Sequence, residues 1–227
     1  MKSSSCFSAR ILIWLLPLLA VSCAPTMTDY QGHMVFNPFY LFYLEAPERD
    51  EWQKPGQVLD ALQVRPGLVV ADIGAGGGYF SEKLSRRVGS TGHVYATDVQ
   101  DVMIRELTQR VAVQSLANMT VIKGDFDDPK LPDHSCDLIF FSSVYKEISD
   151  RPLFLQRMRP ALKPDGRVAI IEYCPGALAP GPPLEYRLSE RQVIAELQAA
   201  GFRLVEQFDF LPREYFLVFE LATTLRL

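Results

Sequence analysis

Residues 55–227 predict an α/β fold: a mostly parallel sheet in three layers, with helices on both faces. Three features carry this expectation. Short, continuously apolar runs recur, as strands buried on both faces require. Between them, apolar residues return at helical spacing. The last two runs are separated only by a turn at Leu211-Pro212-Arg213, so they read as a hairpin that inserts one antiparallel strand.

The elements follow in order along the chain. A short helix is expected over residues 55–62, closed by Arg65-Pro66-Gly67. Leu68-Val69-Val70-Ala71-Asp72-Ile73 is the first strand of the sheet. Phe80, Leu84 and Val88 stripe one helix face as far as Gly89. His93-Val94-Tyr95-Ala96-Thr97-Asp98 is the second strand, and Ile104, Leu107 and Val111 mark the helix after it. Met119-Thr120-Val121-Ile122-Lys123 is the third strand, ended by Gly124-Asp125. Asp137-Leu138-Ile139-Phe140-Phe141 is the fourth. Phe154, Met158 and Leu162 stripe a helix that stops at Lys163-Pro164-Asp165-Gly166, before a fifth strand over residues 167–173. A Pro/Gly-rich loop covers 175–183. Ser189 and Gln192 form a capping pair for a helix on Val193, Leu197 and Ala200, which Gly201 ends. Strands over 202–210 and 214–221 complete the sheet. Upstream, Tyr30, Phe36, Phe39, Tyr40, Phe42, Tyr43 and Trp52 show no clean period, and Pro38 and Pro47 interrupt any long helix. Residues 23–54 therefore read as an aromatic arm packed on the domain.

In an open α/β sheet the ligand lies outside the carboxyl ends of the strands. The first strand ends in Asp72-Ile73-Gly74-Ala75-Gly76-Gly77-Gly78, where glycines admit positive φ and close backbone approach. The second ends in Asp98, near the spacing at which a carboxylate meets a ribose diol. The third ends in Asp125-Phe126, an acceptor beside an aromatic plane, which suits an adenine. Together these ends point to a nucleoside-containing cofactor. A dinucleotide fingerprint starting at Gly74 needs a glycine where Tyr79 stands, and an acid two places before the first glycine is unfavourable beside a pyrophosphate. That acid suits a cationic ligand.

The segment from Val70 to Gly78 resembles motif I of the class I S-adenosylmethionine-dependent methyltransferases. The resemblance continues through Asp98, Gly124-Asp125-Phe126, the Leu162-Lys163-Pro164-Asp165-Gly166-Arg167 turn and Ala200-Gly201-Phe202. It implies the Rossmann-like methyltransferase fold, a seven-stranded sheet of order 3-2-1-4-5-7-6 with strand seven antiparallel. It implies S-adenosylmethionine as cofactor. Asp72 and the glycines, Gly74, Gly76 and Gly78, would hold its methionine part; Asp98 with Val99 its ribose; Asp125 and Phe126 its adenine. Ser142 would close the cofactor site after the fourth strand.

Methyl transfer needs positioning and a shielded site, with a general base only where the acceptor loses a proton. Ser142, Ser143, Tyr145, Lys146, Glu147 and Glu172 follow the fourth and fifth strands and are the candidates. Tyr145 and Glu147 are favoured, since they stand where related bacterial enzymes often carry a Tyr-His pair followed by an acid; Lys146 replaces that His. His93 and His134 precede strands and so belong at the opposite end, leaving His33 of the arm as the one histidine able to approach the site. No cluster has metal-ligand spacing. Cys136 and Cys174 lie at opposite ends of neighbouring strands, too far apart for a disulfide.

The 227 residues carry 23 Lys+Arg against 27 Asp+Glu, a net charge of −4. That balance, and Phe140-Phe141-Ser142-Ser143 in place of an asparagine-proline-proline-aromatic motif, argue against a nucleic-acid substrate. The arm and the 175–183 loop could instead cap a small-molecule or lipid-like acceptor. At the N-terminus, Lys2 and Arg10 precede an apolar run from Ile11 to Val21, too short to span a bilayer and fitting a signal peptide over 1–22. Its end, Leu19-Ala20-Val21-Ser22-Cys23, resembles a bacterial lipoprotein processing site, with Cys23 lipidated. Loss of Lys2 and Arg10 with the leader deepens the charge from −4 to −6. The expectation is an envelope-anchored methyltransferase, cytoplasmic if the leader is not processed. A cofactor- or metabolite-binding lipoprotein without turnover and a dinucleotide-dependent oxidoreductase are the alternatives.

Overall fold

The computed structural model describes residues 26–29, 32–37, 41–176 and 181–222. The expected leader, Cys23, Tyr30, Phe39, Tyr40 and part of the 175–183 loop lie outside the described residues. Strands β1 (Thr26–Thr28) and β2 (Met34–Phe36) form an antiparallel hairpin, followed by helices α1 (Leu41–Leu44), α2 (Arg49–Gln53) and α3 (Pro55–Ala61). The domain continues with β3 (Val69–Ile73), α4 (Tyr79–Val88), β4 (His93–Asp98), α5 (Asp101–Gln114), β5 (Met119–Lys123) and β6 (Cys136–Ser142). It closes with α6 (Arg151–Met158), β7 (Leu162–Tyr173), α7 (Glu190–Ala199), β8 (Phe202–Phe208) and β9 (Glu214–Leu221).

The seven-stranded sheet has the order β5-β4-β3-β6-β7-β9-β8. Counted from β3, this is 3-2-1-4-5-7-6, with the seventh strand, β9, antiparallel to both neighbours. Side chains alternate between faces, so successive strand residues feed opposite cores. Val70, Leu138, Phe140 and Val218 pack with Leu62 of the α3 end, Leu84 of α4 and Leu107 of α5. Ala71, Ile139, Phe141 and Leu217 pack with Phe154 and Met158 of α6 and Leu197 of α7. Both faces being covered explains why the strands read as continuous apolar runs rather than alternating ones.

Two local expectations need correction. Leu162 belongs to β7, not to the helix before it. Helix α6 ends at Met158, a 3-10 turn covers Arg159–Ala161, and Leu162 then pairs with Cys136 at an irregularity in the ladder. Pro160 has no N–H with which to continue the helical ladder, and Leu162 is buried equally well from the strand. On α5 the buried residues are Met103 and Leu107, with Ile104 and Val111 only partly covered. Helix α7 opens as expected, with Ser189 Oγ accepting from the Gln192 N–H at 3.2 Å. Among the described residues no helix is long and apolar enough to cross a membrane.

Candidate active site

The carboxyl ends of β3, β4, β5 and β6 surround a cleft of about 430 Å³. Its floor is the turn from β3 into α4. Gly74 and Gly76 adopt φ of 64° and 56°. A Cβ at Gly74 would sit 2.2 Å from Val144 Cγ2, so only glycine lets the β6 loop close over this turn. The turn is pinned to β4: Ala75 N–H donates to Thr97 O at 2.9 Å, and Gly76 N–H to Asp98 Oδ2 at 3.0 Å.

Asp98 ends β4 and its other oxygen accepts from the Gln100 N–H at 2.9 Å. Burial raises this carboxyl above its ordinary value, and the Gln100 and Gly76 N–H groups pull it back. Each oxygen still has a lone pair to offer a diol. Val99 and Gln100 line the same wall. Beyond β5, Gly124, Asp125 and Phe126 form the far side, where the Asp125 backbone closes a tight turn with Asp128. The Asp125 carboxylate meets Lys130 at 2.8 Å. His33 of the arm stacks on Phe126, centroids 3.7 Å apart and planes 16° from parallel. Ser142 lines the cleft and accepts a 3.0 Å hydrogen bond from Gln53 Nε2.

Three of the expected site residues stand elsewhere. Asp72 does not line the cleft: it is buried behind the turn, where its Oδ2 accepts from Ser81 Oγ at 2.5 Å. Burial pushes its carboxyl up to about 7, against the hydrogen bond from Ser81 and the pull of Arg49. Gly78 caps α4 at φ 94°, and a Cβ there would meet Leu107 and Arg110 of α5 at 3.0 Å; it serves the turn and helix packing. Tyr145 does not line the cleft: it is fully buried in the core against α7, its hydroxyl donating to Glu196 at 3.0 Å, which gives it a packing role. Its apolar ring packs edge-on against Phe141, which draws it inward.

Glu147, by contrast, faces the cleft from the 3-10 turn Tyr145–Glu147. Burial pushes it up to about 6, opposed by Lys146 at 3.4 Å. Lys146 is itself buried, bonded to Ser143 O and 3.8 Å from Glu172. Burial works to lower its ammonium, but Glu172 and Glu147 outweigh that and hold it above its usual value. Glu172 accepts from the Lys146 N–H through one oxygen, while the other has no hydrogen-bond partner among the described residues. Burial raises its carboxyl.

The arm contributes residues that sequence reasoning did not single out. Arg49 lines the cleft with its guanidinium 3.8 Å from the Tyr79 ring centroid, and Gln53 bridges Ser142 and Glu214. Glu214 is buried, accepts from Ser143 Oγ at 2.8 Å, and is pushed by burial up to about 7. Topology held the missing signal for Glu214. A strand antiparallel to its neighbours begins at their carboxyl end, and Glu214, the first residue of β9, pairs with Tyr173, the last of β7. Trp52, Ile148, Phe154, Tyr173 and Pro182 add an apolar lining to the cleft.

His93 opens β4 with Nε2 2.9 Å from Thr120 Oγ1, and His134 precedes β6; both are at the amino ends, away from the cleft. Cys136 opens β6 and Cys174 follows β7, at opposite ends of paired strands. Among the described residues no group of His, Cys, Asp and Glu could hold a metal ion.

The profile of one protein family, described as a methyltransferase domain, matches residues 65–208. A ubiquinone/menaquinone biosynthesis C-methyltransferase, UbiE, of Idiomarina loihiensis is 30% identical over 116 residues, 51% of this chain and 46% of that protein. The nocamycin O-methyltransferase of Saccharothrix syringae is 32% identical over 114 residues, 50% of this chain and 41% of that one. The chain thus spans about half the length of the curated relatives it matches. A crystal structure of an S-adenosylmethionine-dependent methyltransferase from Aquifex aeolicus superposes with a TM-score of 0.78 at 31% identity, covering 82% of this chain and 98% of that one.

Proposed function

Because the chain belongs to the S-adenosylmethionine-dependent methyltransferases, we propose that it methylates a small-molecule or lipid-like acceptor held against the apolar lining of its cleft. One observation carries this reading: the glycine turn, Asp98 and the Gly124-Phe126 wall converge on the same cleft that Glu147 faces. The cleft fits the cofactor. Gly74, at positive φ, leaves a floor that a Cβ could not share with Val144. Gly74 and Gly76 would take the methionine part, Asp98 and Val99 the ribose, and Asp125 and Phe126 the adenine, with Ser142 beside them. When bound, S-adenosylmethionine supplies an electrophilic methyl group on a sulfonium.

The chain's own work is then positioning, shielding and proton handling. Trp52, Ile148 and Tyr173 exclude water from the acceptor. Glu147, its proton affinity raised by burial to about 6, takes the proton that an oxygen or activated carbon acceptor must lose. Lys146 keeps that carboxyl from climbing further. The names of the relatives, a C- and an O-methyltransferase, support acceptor atoms of those two kinds.

In this reading the protein is exported and held at the bacterial envelope through a lipidated Cys23, a site supported by the leader sequence. Calorimetric titration with S-adenosylmethionine, S-adenosylhomocysteine and NAD tests the cofactor; NAD binding alone would overturn it. S-adenosylhomocysteine release across a panel of quinols, phenols and lipids tests turnover. Mass spectrometry of the mature N-terminus tests the anchor, which an intact Met1 would remove.

A further inference from the structure

We propose that the carboxyl-end face of the domain docks on a lipid bilayer, so that the cleft opens toward the membrane and receives its acceptor from it. This rests on the reading of Cys23 as lipidated. Two residues, Ala24 and Pro25, separate Cys23 from Thr26, the first residue of β1, so the chain takes three residue steps between them. At about 3.3–3.6 Å per extended residue, the hairpin starts within roughly 11 Å of the anchor. That hairpin is a lip of the cleft. Val35 and Phe36 line it, Gln100 holds the Phe36 backbone through two hydrogen bonds of 3.2 and 2.9 Å, and His33 stacks on Phe126.

The opposite lip is built from Gly181 and Pro182, which line the cleft just before the 3-10 turn Leu184–Tyr186. Large apolar side chains that face solvent are concentrated on these elements. Met27 is 45% exposed on β1, Leu184 60% and Tyr186 40% on the far lip, and Phe42 73% on α1 between hairpin and domain. The other large apolar residue exposed among those described is Val113 on α5. Apolar side chains exposed on the elements that carry the cleft's lips mark an interaction surface, and the short tether makes that partner the bilayer rather than a soluble protein. Glu48 before α2, Glu51 on α2 and Glu185 on the 3-10 turn are exposed. The contact is therefore apolar, and salt should not weaken it as it weakens docking through a basic patch on anionic lipid.

The test uses the full chain, expressed with its leader and reconstituted in phosphatidylethanolamine/phosphatidylglycerol nanodiscs. The mature N-terminus is read by mass spectrometry, and amide exchange is compared with the same protein in detergent. The expected result is a lipidated Cys23, with slowed exchange in β1, β2 and the 181–187 segment and none around Val113. A Leu184→Asp/Tyr186→Asp variant should lose that slowing and raise KM for a bilayer-dispersed acceptor about tenfold or more. Its affinity for S-adenosylmethionine should be unchanged, and Val113→Asp should alter neither property. Lipidated Cys23 with unprotected lips overturns the docking and leaves the anchor standing. An unmodified Cys23 removes the anchor, and the docking falls with it.

Discussion

Replacing Gly74 by alanine adds one methyl group at the floor of the cleft, and the structure sets its cost in two parts. The backbone stands at φ 64°, where an L side chain costs about 1–2 kcal/mol. The added Cβ would lie 2.2 Å from Val144 Cγ2, 2.8 Å from its Cβ and 3.1 Å from its Cγ1, an overpacking worth roughly 1–3 kcal/mol. The sum, about 2–5 kcal/mol, is a large share of the 5–15 kcal/mol typical of a domain. Urea unfolding followed by circular dichroism measures it, and calorimetry should show S-adenosylmethionine binding weakened at least about tenfold, since Val144 also lines the cleft. A double-mutant cycle separates the two parts. Val144→Ala removes the Cγ contacts but leaves Cβ at 2.8 Å, whereas Val144→Gly removes all three. Coupling to Gly74→Ala should therefore be larger with Val144→Gly, and the φ cost should persist in both. A Gly74→Ala protein as stable as the parent, or zero coupling with Val144→Gly, would refute this account of the turn.

Asp98→Asn sets an amide NH₂ against one of two backbone N–H groups and should weaken S-adenosylmethionine binding about 10–100-fold by calorimetry. Tyr145→Phe should cost about 1 kcal/mol in unfolding through the lost Glu196 bond, with turnover retained; a collapse of kcat would return Tyr145 to the chemistry. Glu147→Gln should lower kcat about 10²–10⁴-fold and abolish the rise in rate through pH 6, while cofactor affinity holds. Asp72 and Glu214, pushed up to about 7, and Glu147, pushed up to about 6, bind protons more tightly folded than unfolded. Their contribution to stability is thus greatest below about pH 4 and declines as pH rises to about 7. Thermal melts should show that decline in the free protein, and a stabilisation by the cationic cofactor that grows over the same range. A flat profile would contradict it.

Much of the sheet was legible because both its faces are covered. His93-Asp98, Met119-Lys123 and Glu214-Leu221 are apolar enough to mark their own limits. The elements of the arm were not legible, since its strands are three residues long and are held to the domain by contacts with Gln100 and Phe126. Chain order told which residues follow a strand, so Asp98, Phe126 and Glu147 were brought to the cleft. It did not tell which way a side chain turns within a 3-10 turn, and there Tyr145 and Glu147 diverge. Glu147 reaches the cleft and Tyr145 the core. Asp72 and Gly78 support the turn from behind, a distinction that spacing alone does not carry.

The bridge from Gln53 to Glu214 spans 161 residues of chain. At synthesis rates of about 5–20 residues per second, the arm waits roughly 8–32 s for its partner to be made. Until β9 is in place, the bridge that Gln53 makes between Ser142 and Glu214 cannot close. The order is thus written into the connectivity: residues 69–142, which bring the glycine turn, Asp98 and Phe126 to one cleft, are complete in the chain well before the strand whose Glu214 ties down Gln53 of the arm.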